Sequence, residues 1–225
     1  MQILNFLFII FIGLSSPINH HIDNNVQLFS DSIPHSGEVH SFDINYVPNL
    51  IPESQYAGIF AQYPSYISDG FDFPVGYPDA TNYYKAQNFG ESRHLGEDWN
   101  AVTGGNTDLG DPVFATANGL VTFAEEVCCG WGNVVRVIHS TPNDSKQKYV
   151  ESVYAHLEEI DVRVGHLLKR GQLVGTIGTA GGIYPAHLHF EMRDFINMSI
   201  GPGYSDDQFG YLDPTKYINL HRPKN

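Results

Sequence analysis

From Phe71 onward the chain alternates short apolar runs with clusters of Gly, Pro, Asn and Asp. Pro112–Ala117, Leu120–Glu125, Val134–His139 and Tyr149–Leu157 each have strand length, and Gln172–Ile177 and His187–Arg193 continue the series. Runs punctuated by turn residues about every dozen positions predict stacked antiparallel sheets and not βαβ units. No stretch sustains three turns of an amphipathic helix, so helix is expected to be minor. Asn118-Gly119 predicts a two-residue hairpin joining the first two strands. In Tyr149–Leu157 the alternation assigns Val153, Ala155 and Leu157 to one face and Tyr154 and His156 to the other.

The pattern differs before Phe71. Ile3–Leu14 is a nearly unbroken apolar run, too short to span a bilayer, with Gly13 and Ser15 as small residues behind it. It reads as an export signal, although no Lys or Arg precedes it. An uncleaved anchor or a misplaced start are the alternatives. Pro17–Ser68 is rich in Asn, Ser, Pro and His, with no sustained period, and reads as an extension or linker. His20, His21, His35 and His40 lie there without ligand-like spacing and are expected at the surface. The predicted division is 1–15 signal, 16–70 extension, 71–220 main domain and 221–225 tail. No later stretch is long and apolar enough to span a membrane, so the mature body is expected to lack a membrane span, in the periplasm or secreted to the cell envelope.

Composition sharpens this picture. Apolar residues at 42% against 16% charged supply a core, and 13 Tyr, 14 Phe and 22 Gly favour strands and turns. With a net charge of −13 and 12 Lys and Arg in all, nucleic acid is excluded as a partner. Cys128 and Cys129 are adjacent, with Cα atoms about 3.8 Å apart, closer than a disulfide usually prefers. They are expected as two thiols packed in a turn before Gly130. Oligomeric state is not legible in the sequence.

Three segments carry candidate chemistry. In His187-Leu188-His189, residues two apart on a strand face one side, so both imidazoles project into one space. In His94-Leu95-Gly96-Glu97-Asp98, the spacing of four puts an imidazole and a carboxylate on one side, and both are good zinc ligands. Tyr154-Ala155-His156-Leu157 places a further His at a strand end. Each alone is as readily structural. Together they fit one chemistry, because two His and one carboxylate around zinc leave a fourth position for water. The metal lowers the pKa of that water and polarises a carbonyl, and two further imidazoles can move protons. Spacing alone does not decide which of His187 and His189 is a ligand.

His94-x-Gly96-x-Asp98, Tyr154-Ala-His156-Leu and His187-Leu-His189-Phe190-Glu191, in that order, resemble the M23 metallopeptidases of the lysostaphin and LytM type. Connecting glycines extend the resemblance, from Gly110-Asp111-Pro112-Val113 through Gly132-Asn133 and Gly171-Gln172 to Gly178, and Asp213-Pro214 resembles the way such domains close. The resemblance implies a mainly β, lysostaphin-like fold of antiparallel sheets with a groove and little helix. It implies one Zn²⁺ held by His94, Asp98 and His189, with His156 and His187 as the catalytic pair. It implies endopeptidase action on peptidoglycan stem peptides or cross-bridges, with metal-bound water as nucleophile. Tyr154, Trp131, Gly181 and Tyr184 are candidates for the substrate groove. The chain departs from many relatives at Gly182–Ala186, before His187, and the loops Thr103–Leu109 and Asn143–Lys148 are its own.

Overall fold

The computed structural model describes residues 53–142, 144 and 148–223. The expected export signal, the four early histidines and most of the extension lie outside the described residues.

Two α-helices and ten strands organise the described residues. A helix, α1, spans Glu53–Gln62; strands follow at Tyr83–Gln87 (β1), Glu97–Ala101 (β2), Pro112–Phe114 (β3), Gly119–Val127 (β4) and Gly132–Ser140 (β5). The series continues with Tyr149–Ile160 (β6), Leu167–Leu168 (β7), Leu173–Ile177 (β8), Leu188–Arg193 (β9), Tyr211–Leu212 (β10) and a closing helix, α2, at Pro214–Leu220. All strand pairs are antiparallel in the order β1-β2-β9-β6-β5-β4-β7, with β10 added to β9 and β8 pairing with both β6 and β3. The mainly β, antiparallel class expected from the sequence is what the chain adopts.

Alternation along the central strands sorts side chains to two faces. Tyr154 of β6 and Leu188, Phe190 and Met192 of β9 enter the larger core, with Val113, Val137, Leu168 and Ile177. Complete burial of a Leu or Phe contributes about 1.5–3 kcal/mol, so this layer fixes the register. Val153 and Ala155 face the other way, into a smaller cluster with Phe123, Val127, Trp131, Val134 and Ile200. Asp213 caps α2 by accepting from the amide of Lys216 at 2.9 Å, with Pro214 in the first turn. Capping of this kind is worth about 1 kcal/mol.

Three expectations are corrected. Asn118-Gly119 is not a hairpin: β3 pairs with β8, while β4 pairs with β5 and β7. A type I′ turn needs positive φ at both central residues, and neither has it. Instead Asn118 is a staple, its amide donating to the carbonyl of Ile67 and accepting from the amide of Arg170, both at 2.9 Å. The extension is not irregular throughout, because Tyr56, Ile59 and Phe60 form a short buried stripe on α1 that meets Tyr149. The last correction is in β6. His156 has φ +62, and this left-handed residue breaks the alternation. Leu157 therefore joins the larger core beside Tyr154, and His156 does not share a face with Tyr154.

His139 of β5 lies under the same sheet, fully buried, with Nδ1 donating to the carbonyl of Asn118 at 2.9 Å and Nε2 2.8 Å from the hydroxyl of Ser152. Burial lowers its pKa to about 4, outweighing the bond to Asn118. The folded state therefore binds its proton less readily than the unfolded chain. Above the unfolded value of about 6.5 the residue is neutral in both states; below it the unfolded chain gains a proton first, and stability falls until about pH 4. A loss of about 3 kcal/mol is expected across that window. Urea unfolding of wild type and His139→Gln should show a steeper slope against pH in the wild type; parallel slopes would refute this.

Candidate metal centre and catalytic site

The register of the sheet builds the centre. Asp98 of β2 lies directly opposite His189 of β9, which lies opposite Ala155 of β6. His94 precedes β2, and its backbone bridges to Tyr204. Nε2 of His94, Oδ1 of Asp98 and Nδ1 of His189 converge: His94 to His189 is 3.0 Å, Asp98 to His189 is 3.0 Å and His94 to Asp98 is 3.3 Å. Gly96 makes the approach possible. A Cβ there would lie 2.7 Å from the carbonyl of Phe190 and 2.9 Å from both His189 Cε1 and Glu191 Cγ, contacts that real Cβ atoms do not make.

The electrostatics call for a cation between these groups. His189 Nε2 donates to Glu191 at 3.1 Å, which leaves a lone pair on Nδ1 facing Asp98 and His94. Burial alone would lower the pKa of His189, but hydrogen bonds to Asp98 and Glu191 raise it to about 9. Burial alone would raise Asp98, yet the bonds from His189 and His94 hold it well below the usual carboxylate range. Without a metal, His189 thus carries a second proton, on Nδ1, toward the ionised Asp98. A divalent metal held by the three groups would take the place of that proton. Nδ1 of His94 is buried with no hydrogen-bond partner. Two imidazoles and a carboxylate are the donor chemistry of zinc, and the residues fit it. Among the described residues these three form the metal-capable cluster.

Two more imidazoles flank the centre. The ring of His156 is 4.7 Å from that of His187, and His187 Nε2 is 3.8 Å from Asp98 Oδ1. Nδ1 of His156 donates to the carbonyl of Trp131 at 3.1 Å, and Nδ1 of His187 donates to the carbonyl of Pro185 at 2.8 Å. A carbonyl oxygen only accepts, so both rings carry a proton on Nδ1 and turn Nε2 to the cleft. Burial, reinforced by the neighbouring His189 and His187, lowers the pKa of His156 to about 3 and keeps it neutral. The left-handed backbone of His156 is what turns it toward the centre. Gly178 lies against this bulge so closely that a side chain there would clash with the backbone of His156 and Glu158. Before His187, the carbonyl of Ala186 accepts from Asn100 of β2 at 3.0 Å and its amide donates to Asn106 of the Thr103–Leu109 loop at 2.9 Å, so strand and loop together pin the approach to His187.

These groups open into a cleft of about 210 Å³, lined by Asp98, His156, His187 and His189 with Trp131, Tyr184 and Tyr204 among the aromatic walls. Trp131 and Tyr184, two of the groove candidates, line this cleft. Tyr154 does not: it is completely buried, its hydroxyl taking the amide N–H of Thr116 at 2.9 Å, so it is a core residue. Gly181 is exposed and does not line the cleft. Sequence reasoning missed the Pro202–Tyr204 wall. Tyr204 stacks on His94 at 5.0 Å, and the carbonyl of Gly203 accepts from Leu95 at 2.9 Å. This loop follows β9 with no motif of its own, and only the fold brings it to His94. Sequence reasoning also gave Glu191 no role and took Cys128 and Cys129 as thiols; the structure pairs the two cysteines as a disulfide.

This antiparallel β domain gathers, around an aromatic cleft, two imidazoles and a His/Asp/His cluster that could hold a metal ion. The chain belongs to peptidase family M23, whose signature residues 92–202 match. Among curated relatives, the lipoprotein NlpD of Yersinia enterocolitica is 38% identical over 93 residues, covering 41% of this chain and 87% of that protein. The murein hydrolase activator NlpD of Salmonella dublin is 34% identical over 112 residues, covering 47% of this chain but only 27% of the activator. The solved structure of the antimicrobial peptidase lysostaphin from Staphylococcus simulans is 26% identical with a TM-score of 0.46, covering 62% of this chain and 50% of that one. The chain thus spans about a quarter of the activator and half of the lysostaphin chain.

Proposed function

We propose that this chain is a zinc-dependent endopeptidase acting on the peptide cross-links or stem peptides of bacterial peptidoglycan, in the periplasm or outside the cell. The observation that carries this reading is the retention of the whole polar set in one cleft: His94, Asp98 and His189 converging, with His156 and His187 both presenting Nε2. Bound zinc would be held by His94, Asp98 and His189 and would supply Lewis acidity toward a peptide carbonyl and toward water. The protein's own residues account for the proton traffic. His156, neutral and fixed by Trp131, accepts a proton at Nε2; His187, fixed by Pro185 at Nδ1, stabilises the oxygen or protonates the departing amine when its Nε2 also carries a proton. Trp131, Tyr184 and Tyr204 orient the peptide and exclude water from the reacting bond.

A second reading is a non-catalytic activator of separate wall hydrolases, favoured by the name of the Salmonella relative. One experiment separates them. Purified protein, metal-loaded and metal-stripped, is incubated with peptidoglycan, and the soluble products are analysed by mass spectrometry. The peptidase reading expects new amine and carboxyl ends at a defined peptide bond, lost on chelation and restored by zinc. Zinc-loaded protein that releases nothing by itself but accelerates an added hydrolase would establish the activator instead. The masses also identify the bond cut.

A further inference from the structure

Between β4 and β5 the chain turns through Cys128, Cys129 and Gly130, and the sulfurs of the two cysteines are joined. Cys128 is half-buried, whereas Cys129 is exposed and lines the same cleft as His156, His187 and His189. Cys129 has φ +66, a conformation that residues with side chains rarely adopt. The turn is closed by the amide of Trp131 donating to the carbonyl of Cys128 at 3.3 Å. One residue, Gly130, separates Cys129 from Trp131, and Tyr184 packs against it: a Cβ on Gly130 would lie 2.5 Å from the Tyr184 hydroxyl. The carbonyl of Trp131 then receives both the backbone N–H and the Nδ1–H of His156, at 3.0 and 3.1 Å. A bond between adjacent sulfurs thus stands one glycine away from the carbonyl that fixes a catalytic ring, on the wall of the cleft itself.

We propose that Cys128 and Cys129 are a thiol-exchange site that sets the shape of the cleft: the intact disulfide holds Cys129 in its left-handed conformation, and a small dithiol that opens it releases the turn, Trp131 and with them His156. A thiolate of the dithiol attacks the exposed sulfur of Cys129, the S–S bond breaks, and Cys128 leaves as a thiolate that takes a proton from water. The second thiol, as its thiolate, displaces Cys129 from the mixed disulfide, and Cys129 likewise takes a proton from water; the reagent departs as its own disulfide, oxidised by two electrons, and the protein is reduced by two. Freed from the ring, Cys129 relaxes toward negative φ, and the close packing of Gly130 on Tyr184 transmits the shift to both cleft walls. The effect on turnover rests on the peptidase reading; the conformational effect does not.

The test uses the full chain, zinc-loaded, oxidised or treated with dithiothreitol, freed of reagent without air and reloaded with zinc. Mass spectrometry counts the two hydrogens gained. Two readouts follow: exchange of the His156 amide by NMR, and peptide release from peptidoglycan. On reduction the His156 amide is expected to exchange at least about tenfold faster, because its partner carbonyl is no longer held. Turnover should fall several-fold and return on reoxidation. A Cys128→Ser/Cys129→Ser variant should resemble the reduced protein and ignore the dithiol; if it does not fold, the wild-type comparison decides. Verified reduction with unchanged His156 exchange overturns the proposal, as does a disulfide that the dithiol cannot open in the native protein. If the oxidised protein releases no peptide, the peptidase reading fails, and amide exchange alone judges the thiol site.

Discussion

Replacing His156 with glutamine is expected to lower kcat by roughly 10²–10⁴-fold while zinc content and the unfolding midpoint stay at wild-type values. The separation follows from where the residue sits. His156 is not among the three groups that converge, and its Nδ1 is committed to the Trp131 carbonyl, so its free Nε2 can accept a proton and has no metal to hold. Because burial keeps the imidazole neutral well below pH 7, the loss should persist across neutral pH and not be rescued by raising it. Steady-state kinetics on a released peptide bond, alongside zinc stoichiometry and chemical denaturation, check all three claims. A variant within threefold of wild type would remove His156 from the mechanism.

The sequence carried most of the site because its periodicity maps onto the sheet without intermediaries. Two histidines two apart on a strand face one side whatever the tertiary structure does, and His187 and His189 do so. His94 and Asp98, four apart across a glycine, meet for a reason equally local: Gly96 lets the turn lie flat on β9. What the sequence did not yield depends on contacts or on single backbone conformations. Alternation assigned His156 to the Tyr154 face, and one left-handed residue reversed it. Asn118-Gly119 has the composition of a hairpin turn, but β3 finds β8 across a long stretch of chain, and that pairing overrides the local preference. Tyr204 reaches His94 through a loop whose position is set by β9 and by the Leu95–Gly203 bond. The adjacent cysteines were judged by the span a disulfide usually prefers, which does not anticipate a turn that brings the two sulfurs of neighbouring residues together.

Glu191 lies where fold and chemistry depend on the same atoms, and Glu191→Gln is expected to weaken zinc binding by about 10–100-fold and to cost roughly 3–5 kcal/mol of stability. One carboxylate oxygen accepts from His189 Nε2 at 3.1 Å; the other takes Nε and Nη2 of Arg193 at 2.8 and 2.5 Å. Both Glu191 and Arg193 are completely buried. Beyond Glu191, Arg193 has the carbonyls of Ser199 and Ile200 and, at 3.8 Å, Glu151, which is itself engaged by Arg136 at 3.0 and 2.7 Å. A neutral amide would leave the Arg193 charge uncompensated in the core, the situation in which breaking a buried pair is most destabilising. The two losses have different origins and can be separated. In a Glu191→Leu/Arg193→Met double variant both charges are gone, so denaturation should recover much of the lost stability. Zinc affinity should stay low, because His189 still lacks the carboxylate that orients its ring and enriches its Nδ1 lone pair. Competition titration with a zinc chelator reads the second quantity independently of the first. If zinc affinity rises in step with stability across the three proteins, Glu191 acts on the centre only by keeping the sheet folded, and its orienting role is wrong.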